Sequence, residues 1–223
     1  MSRPRPALSH DLIVAEALAL LDAEGLAGFS MRKLAARLGV EAMSIYHHLP
    51  NRQAILGAVV DHVLMQVPLP DPDRGWRDQL EAFALDSYRV LIAHPAVVTI
   101  MATETADPSD TRALAVVDAV LGALADMGCS PAQQVATYRA ITSLVFGFVL
   151  THSRGLTQPM GTAEDDWPGD VATIEARAAE IPHIVSLIPV FIATRHGEDF
   201  RLALRFFLDG LEREHPDRTP ATG

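Results

Sequence analysis

The stretch SMRKLAARLGVEAMSIYHHL, residues 30–49, decides how the rest of the chain is read. Ser30 is an N-cap residue type, with a hydroxyl to offer the free amides of a first helical turn. Met31, Leu34, Ala35 and Leu38 then recur at i, i+3, i+4 and i+7, which is one apolar helical face. Gly39 follows at the C′ position, where a left-handed conformation costs glycine little. After Val40 and Glu41 the pattern predicts a second helix from about Ala42 to His48. Val40, Ile45 and Leu49 are its inward anchors, and Met43, Ser44 and His47 project the other way. Pro50 closes it by biasing Leu49 away from the helical region, and Asn51-Arg52 opens the next helix. Two short helices with a glycine-containing turn between them describe a helix-turn-helix. Such a unit lays its second helix in the DNA major groove while the first crosses the backbone.

The longer run FSMRKLAARLGVEAMSIYHHLPNRQAIL, residues 29–56, resembles the DNA-binding helices of the TetR family of bacterial repressors. LAxxLGV, the IYHHL signature and Asn51-Arg52 carry the resemblance, at fixed spacing. It implies that Ala42, Met43 and Ser44 touch base edges, and that Tyr46, His47 and His48 fall on phosphates. His47 stands where a commoner aromatic is usual, so base and phosphate both stay open for it. Ser30, Arg32 and Arg52 are expected to clamp the DNA backbone. Lys33, the sole lysine, is expected to be a solvated charge.

The net charge of −10 looks wrong for a DNA binder until its distribution is read. Residues 1–52 carry six Lys+Arg against five Asp+Glu, whereas residues 53–223 carry twelve against twenty-three. A slightly basic head on an acidic body suits phosphate binding by one end only. The charge-free stretches 90–103, 140–153 and 181–194 are 14 residues each, short of the roughly 18 a membrane span needs. No membrane partner is expected. The start MSRPRPALS lacks the apolar core of a secretory signal, and a single cysteine, Cys129, cannot close an intramolecular disulfide. A reducing cytoplasm, at the nucleoid, is the expected location.

Along the chain, Arg3 and Arg5 lie in a proline-flanked N-terminus, read as frayed or as a basic arm. Ser9 caps a first helix that carries Ile13, Ala17, Leu20 and Leu21 and that Gly25 ends. A fourth helix begins near Asn51, and the prolines at 68, 70 and 72 forbid helix after it. A domain boundary is placed there: 1–66 as the helix-turn-helix domain and 67–223 as a larger helical body for effector binding and dimerisation. In the body, helices are expected over Trp76–Ala93, from Pro95, over about Asp110–Met127, from Pro131 to about Ser153, near 171–180, and over Glu198–Glu214. Residues 154–168 read as loop. No strand pattern or repeat is present, and the class is all-α.

Two helices are apolar nearly all round. Val135, Tyr138, Ile141, Leu144, Val145, Phe146, Phe148, Val149 and Leu150 cover most of one. In the other, Phe200, Leu204, Phe207 and Leu211 make one face, and Leu202, Ala203 and Phe206 another. A helix of this kind is buried on two sides, by its own core and by a partner. The resemblance implies a homodimer through a four-helix bundle, and the interface is expected at Tyr138, Ile141, Val145, Phe148, Val149, Phe200, Leu204, Phe207 and Leu211. Two heads about one DNA turn apart would read a palindromic operator in double-stranded DNA.

The resemblance also implies a small-molecule effector held by the body's helices, an apolar or aromatic one to judge from the candidates. These are Phe83, Tyr88, His94, Met101, Thr103, Thr142, Phe146 and Trp167. The histidine with which the family's antibiotic sensor holds tetracycline on its fourth helix falls here on Pro68, so tetracycline is not the expected effector. The nine histidines show no HxxxH or Cys/His spacing, so neither a metal site nor a cofactor is expected. GxGxxG, GxxxxGK[ST] and GxSxG are all missing, and no residue is assigned as catalytic. A helical protein adaptor is the other rival, but it leaves the capped basic helix pair unexplained.

Overall fold

The computed structural model describes residues 7–104, 111–153, 171–193 and 196–215, and all regular structure among them is helical. In chain order the helices are α1 His10–Gly28, α2 Met31–Leu38, α3 Ala42–Tyr46, α4 Arg52–Leu64, α5 Trp76–Ala93, α6 Pro95–Thr103, α7 Thr111–Asp126, α8 Pro131–His152, α9 Val171–Glu175, α10 Pro182–Ala193 and α11 His196–Glu214. Trp167, in the expected loop, lies outside the described residues, as do Arg3 and Arg5.

The caps set the boundaries. Ser9 Oγ accepts from the amide of Leu12 and starts α1. Gly25, at φ 67°, breaks the helical path as expected, yet one more turn carries α1 on to Gly28. Asn51 Oδ1 accepts from the amide of Ala54 at 2.8 Å and starts α4. His94 ends α5 and Pro95 begins α6 at once, turning the chain through 102°. Gly128, at φ 80°, ends the α7 segment. Ser130 and Gln133 open α8 reciprocally, each reaching back to the other's backbone or hydroxyl, a capping box. The apolar run 182–193, whose Pro189 reads as a breaker, forms α10 with Pro189 inside.

Packing divides the chain into two compact units, residues 1–138 and 139–223. In the first, α1 packs on α2, α4 and α6, and α4 also meets α5, α6 and α7. Its core includes Ile13, Leu20 and Leu21 of α1, Ile55, Val59 and Val63 of α4, and Val97 of α6, all within 1% of full burial. The proline-rich stretch after α4 marks a change of composition, but packing is continuous across it. In the second unit the Phe148 ring meets Phe200 edge-on at 5.4 Å and His152 at 5.0 Å.

By length and composition alone α8 is long and apolar enough for a membrane span, a property that core helices share. Arg139 interrupts the apolar run in the sequence without preventing a 22-residue apolar helix.

Candidate nucleic-acid interface

The α2–α3 unit is assembled by three local devices. Ser30 Oγ accepts from the amide of Lys33 at 3.3 Å, closing the first turn of α2. Leu34, Ala35 and Leu38 are buried. Gly39 takes the left-handed conformation at φ 62°, ψ 41°. Its amide donates to Ala36 O, and that of Val40 donates to Ala35 O at 3.1 Å. These bonds satisfy the last carbonyls of α2 and aim the chain into α3.

α3 is shorter than the sequence suggests. Regular helix covers Ala42–Tyr46 only, and His47 and His48 continue it as a turn. Glu41 makes no side-chain cap, and Pro50 follows directly, so neither end supports a longer helix. Ile45 is fully buried and Leu49 nearly so, which pins one side of this short piece against α2. At about 100° per residue, Met43 stands roughly opposite Ile45, and His47 comes one turn later on Met43's side. Met43 is 65% exposed, and His47 and His48 are exposed too; Ala42, Ser44 and Tyr46 are half-buried.

The cations of the head are largely engaged. Lys33 pairs with Glu24 and donates to Gly28 O at 2.9 Å, so it braces the end of α1 and is not merely solvated. Arg37 Nε meets Glu16 Oε2 at 3.0 Å. Arg52 Nη1 meets Glu104 Oε1 at 2.9 Å, with its guanidinium 5.8 Å from the centre of the buried Phe29 ring. The guanidinium expected to clamp DNA is thus held by the C-terminal end of α6, and a phosphate would have to compete with Glu104 for it. Arg32 is exposed and makes no ion pair among the described residues. The Ser30 hydroxyl, though accepting as a cap, keeps its own proton to donate.

The residues that tie α4 to the later helices were not signalled by sequence. Glu104 holds one end of α4. Arg112, on α7, holds the other: its Nε donates to Leu64 O at 3.3 Å, and it also donates to Val67 O. Both contacts join residues 45 or more apart in sequence, beyond the reach of helical periodicity.

The expected effector residues differ in burial and in the partners they hold. Phe83 is buried on α5, and Tyr88, Met101 and Phe146 are half-buried. Thr103 is exposed, its hydroxyl donating to Thr99 O. His94 does not stand free for a ligand: its Nδ1 lies 3.0 Å from Asp22 of α1. Thr142 has a buried hydroxyl oxygen without a hydrogen-bond partner among the described residues.

The expected dimer-face residues differ in how much surface the single chain leaves open. Ile141, Val145, Val149, Phe200 and Leu204 are at most 2% exposed within the single chain, so they have almost no area left for a partner. Tyr138, Phe148, Phe207 and Leu211 are half-buried. The apolar surface left open on the same helices belongs to Val135, Leu202 and, at 62% exposure, Phe206. Phe200, Leu204 and Leu208 recur at i, i+4 and i+8 and turn inward together. An all-round apolar helix carries no sign of which side its own core will take.

Comparison with known proteins agrees with this geometry. Residues 13–59 match the profile of the bacterial regulatory proteins of the tetR family, and residues 69–215 that of the tetracyclin repressor-like C-terminal domain. An HTH-type transcriptional regulator of Saccharopolyspora erythraea is 38% identical over 68% of this chain, which spans 64% of that relative's length. The HTH-type transcriptional repressor DrrR1 of Streptomyces coeruleorubidus is 34% identical over 94% of this chain and 79% of its own. Among solved structures, the Streptomyces coelicolor TetR family protein ActR in complex with (S)-DNPA superposes with a TM-score of 0.70 at 25% identity, covering 94% of this chain and all of that one. BioQ bound to its double-stranded DNA operator does so with a TM-score of 0.61 at 25% identity, over 92% of this chain and 99% of the other.

Proposed function

The chain belongs to the tetR family of bacterial regulatory proteins, a family of DNA-binding regulators and not of enzymes, and we propose that it is a repressor that binds a palindromic operator as a homodimer. The observation that carries this reading is the outward face of α3, where Met43 and His47 stand exposed on a helix pinned from behind by Ile45 and Leu49.

On this reading Ala42, Met43 and Ser44 address base edges. Ser44 can hydrogen-bond either a base or a phosphate, and Met43 gives apolar contact of the kind a thymine methyl accepts. Tyr46, His48, Ser30 and Arg32 meet the phosphate backbone, which fixes register without reading sequence, and His47 reaches either a base edge or a phosphate. Residues 1–66 serve as the reading domain and 67–223 as the dimerising and sensing one. The open apolar side chains of α8 and α11, Val135, Leu202 and Phe206, together with the half-buried Tyr138, Phe148, Phe207 and Leu211, are covered by a second copy. This accounts for the apolar length of α8 without a membrane.

A small molecule bound by the helices after residue 67 releases the operator. Phe83, Tyr88 and Met101 supply apolar and aromatic surface to it. Release is a shift of population between two dimer forms that differ in head spacing, limited by the ligand's differential affinity for them. The work is done in the cytoplasm, on nucleoid DNA.

Selection of duplexes from a randomised pool by the purified protein tests the reading. An inverted repeat with half-sites about 10–10.5 base pairs apart, or a multiple of that, is expected. Enrichment of no sequence, or of a single unrepeated site, would overturn it.

A further inference from the structure

Arg52 is the one cation of the helix-turn-helix region whose carboxylate partner comes from outside the head. Lys33 and Arg37 are neutralised by Glu24 and Glu16, both on α1. Arg52 instead meets Glu104, the residue that ends α6. The other end of the same helix is tied down too, because His94, which precedes α6, pairs with Asp22 of α1 at 3.0 Å. The two residues flanking α6 are thus both bonded through their side chains to the head.

Arg52 is also placed where a phosphate could use it. It is the first residue of α4, two residues beyond Pro50 and four beyond the exposed His48, so it follows directly on the recognition helix. About 40% of its side chain is open to solvent. Glu104 engages Nη1, which leaves the guanidinium's other donors for a second acceptor. A half-exposed ion pair of this kind is weakly held, while a guanidinium on a phosphate is a charge-assisted, often bidentate contact. The Phe29 ring, 5.8 Å away, keeps the guanidinium at this corner in either arrangement.

We propose that Glu104 withholds Arg52 from the operator backbone, so that α6 sets how many phosphates each head neutralises. With the pair closed, Arg32 is the head's unpaired cation among the described residues. When Glu104 lets go, the count rises by one per head. The operator affinity and, above all, its salt dependence therefore report the state of this pair. The inference rests on the DNA-binding reading above, and it names the acceptor as a phosphate of duplex DNA.

The test uses the full chain and the selected duplex, with anisotropy titrations at several salt concentrations. Glu104→Gln keeps the shape of the side chain and removes its charge; Glu104→Ala is measured beside it, and thermal melts establish that both fold. Each arginine released steepens the slope of log K against log salt by about 0.9. The Glu104 variants should thus show a slope steeper by about 1.8 per dimer, with roughly tenfold more affinity lost between 50 and 200 mM salt than the parent loses. Adding Arg52→Ala to either variant should return the slope to the parent's, and Arg52→Ala alone should leave it there. An unchanged slope in the folded Glu104 variants overturns the proposal. So does a flatter slope in Arg52→Ala alone, since Arg52 would then already lie on phosphate. Absence of salt-dependent duplex binding by the parent chain itself overturns the DNA-binding reading, and this inference with it.

Discussion

The α2–α3 pair and the helices α8 and α11 are both built from apolar repeats, but only in the first pair does the sequence say which side faces inward. In α2 the buried Leu34, Ala35 and Leu38 alternate with charged Arg32, Lys33 and Arg37, so one direction alone is possible. In α11 an inward row of Phe200, Leu204 and Leu208 runs beside an outward Leu202 and Phe206. Either row would satisfy a core. Polar residues are therefore what specify orientation, and where they thin out the chain leaves the choice to its tertiary packing. The same thinning leaves surface for a partner, so the hardest region to read is the one that assembles.

That contrast can be broken by substitution. The largest effect is expected from Phe200→Ala, since Phe200 is fully buried: a loss of about 3–5 kcal/mol in folding free energy, measured by denaturant unfolding. A loss under about 1 kcal/mol would mean that the inward row is misassigned. Ile45→Ala in the head should cost about 2–5 kcal/mol, read from the same unfolding curves, and operator binding should fall with it because nothing else fully buried pins α3. Phe206→Glu should leave the fold intact and weaken self-association by about 2 kcal/mol or more, a shift in dimer dissociation constant that sedimentation equilibrium resolves. A dimer indifferent to Phe206→Glu would return the interface to some other face. The smallest effect is Arg32→Ala, which should flatten the salt slope of DNA binding by about 0.9 per head while leaving preference among sequences unchanged.

Most of the head was legible because its signals are local. Ser9, Ser30 and Asn51 each cap the helix that follows, and Gly39 adopts the left-handed turn its position calls for. The same holds for Trp76–Ala93 and for the proline-started α6 and α8. What escaped was long-range. Nothing near Arg52 in sequence announces Glu104, and nothing near Leu64 announces Arg112; both partners arrive only when α6 and α7 fold back on α4. α10 was missed because its apolar run holds Pro189, which reads as a breaker and is instead accommodated inside the helix. The length of α3 was overestimated because periodicity cannot see that Glu41 leaves its start uncapped by any side chain.

The central claim is that the exposed face of α3 reads duplex DNA. Fluorescence anisotropy of the full chain on a duplex from upstream of its own coding region tests it most directly, beside a scrambled duplex and a Met43→Ala, His47→Ala variant. Saturable binding with two chains per duplex, preference over the scrambled sequence, and a loss of about 1–3 kcal/mol in that preference on removal of the Met43 base contact are expected, with folding unchanged. Equal affinity of the parent chain and the variant for both duplexes would contradict it.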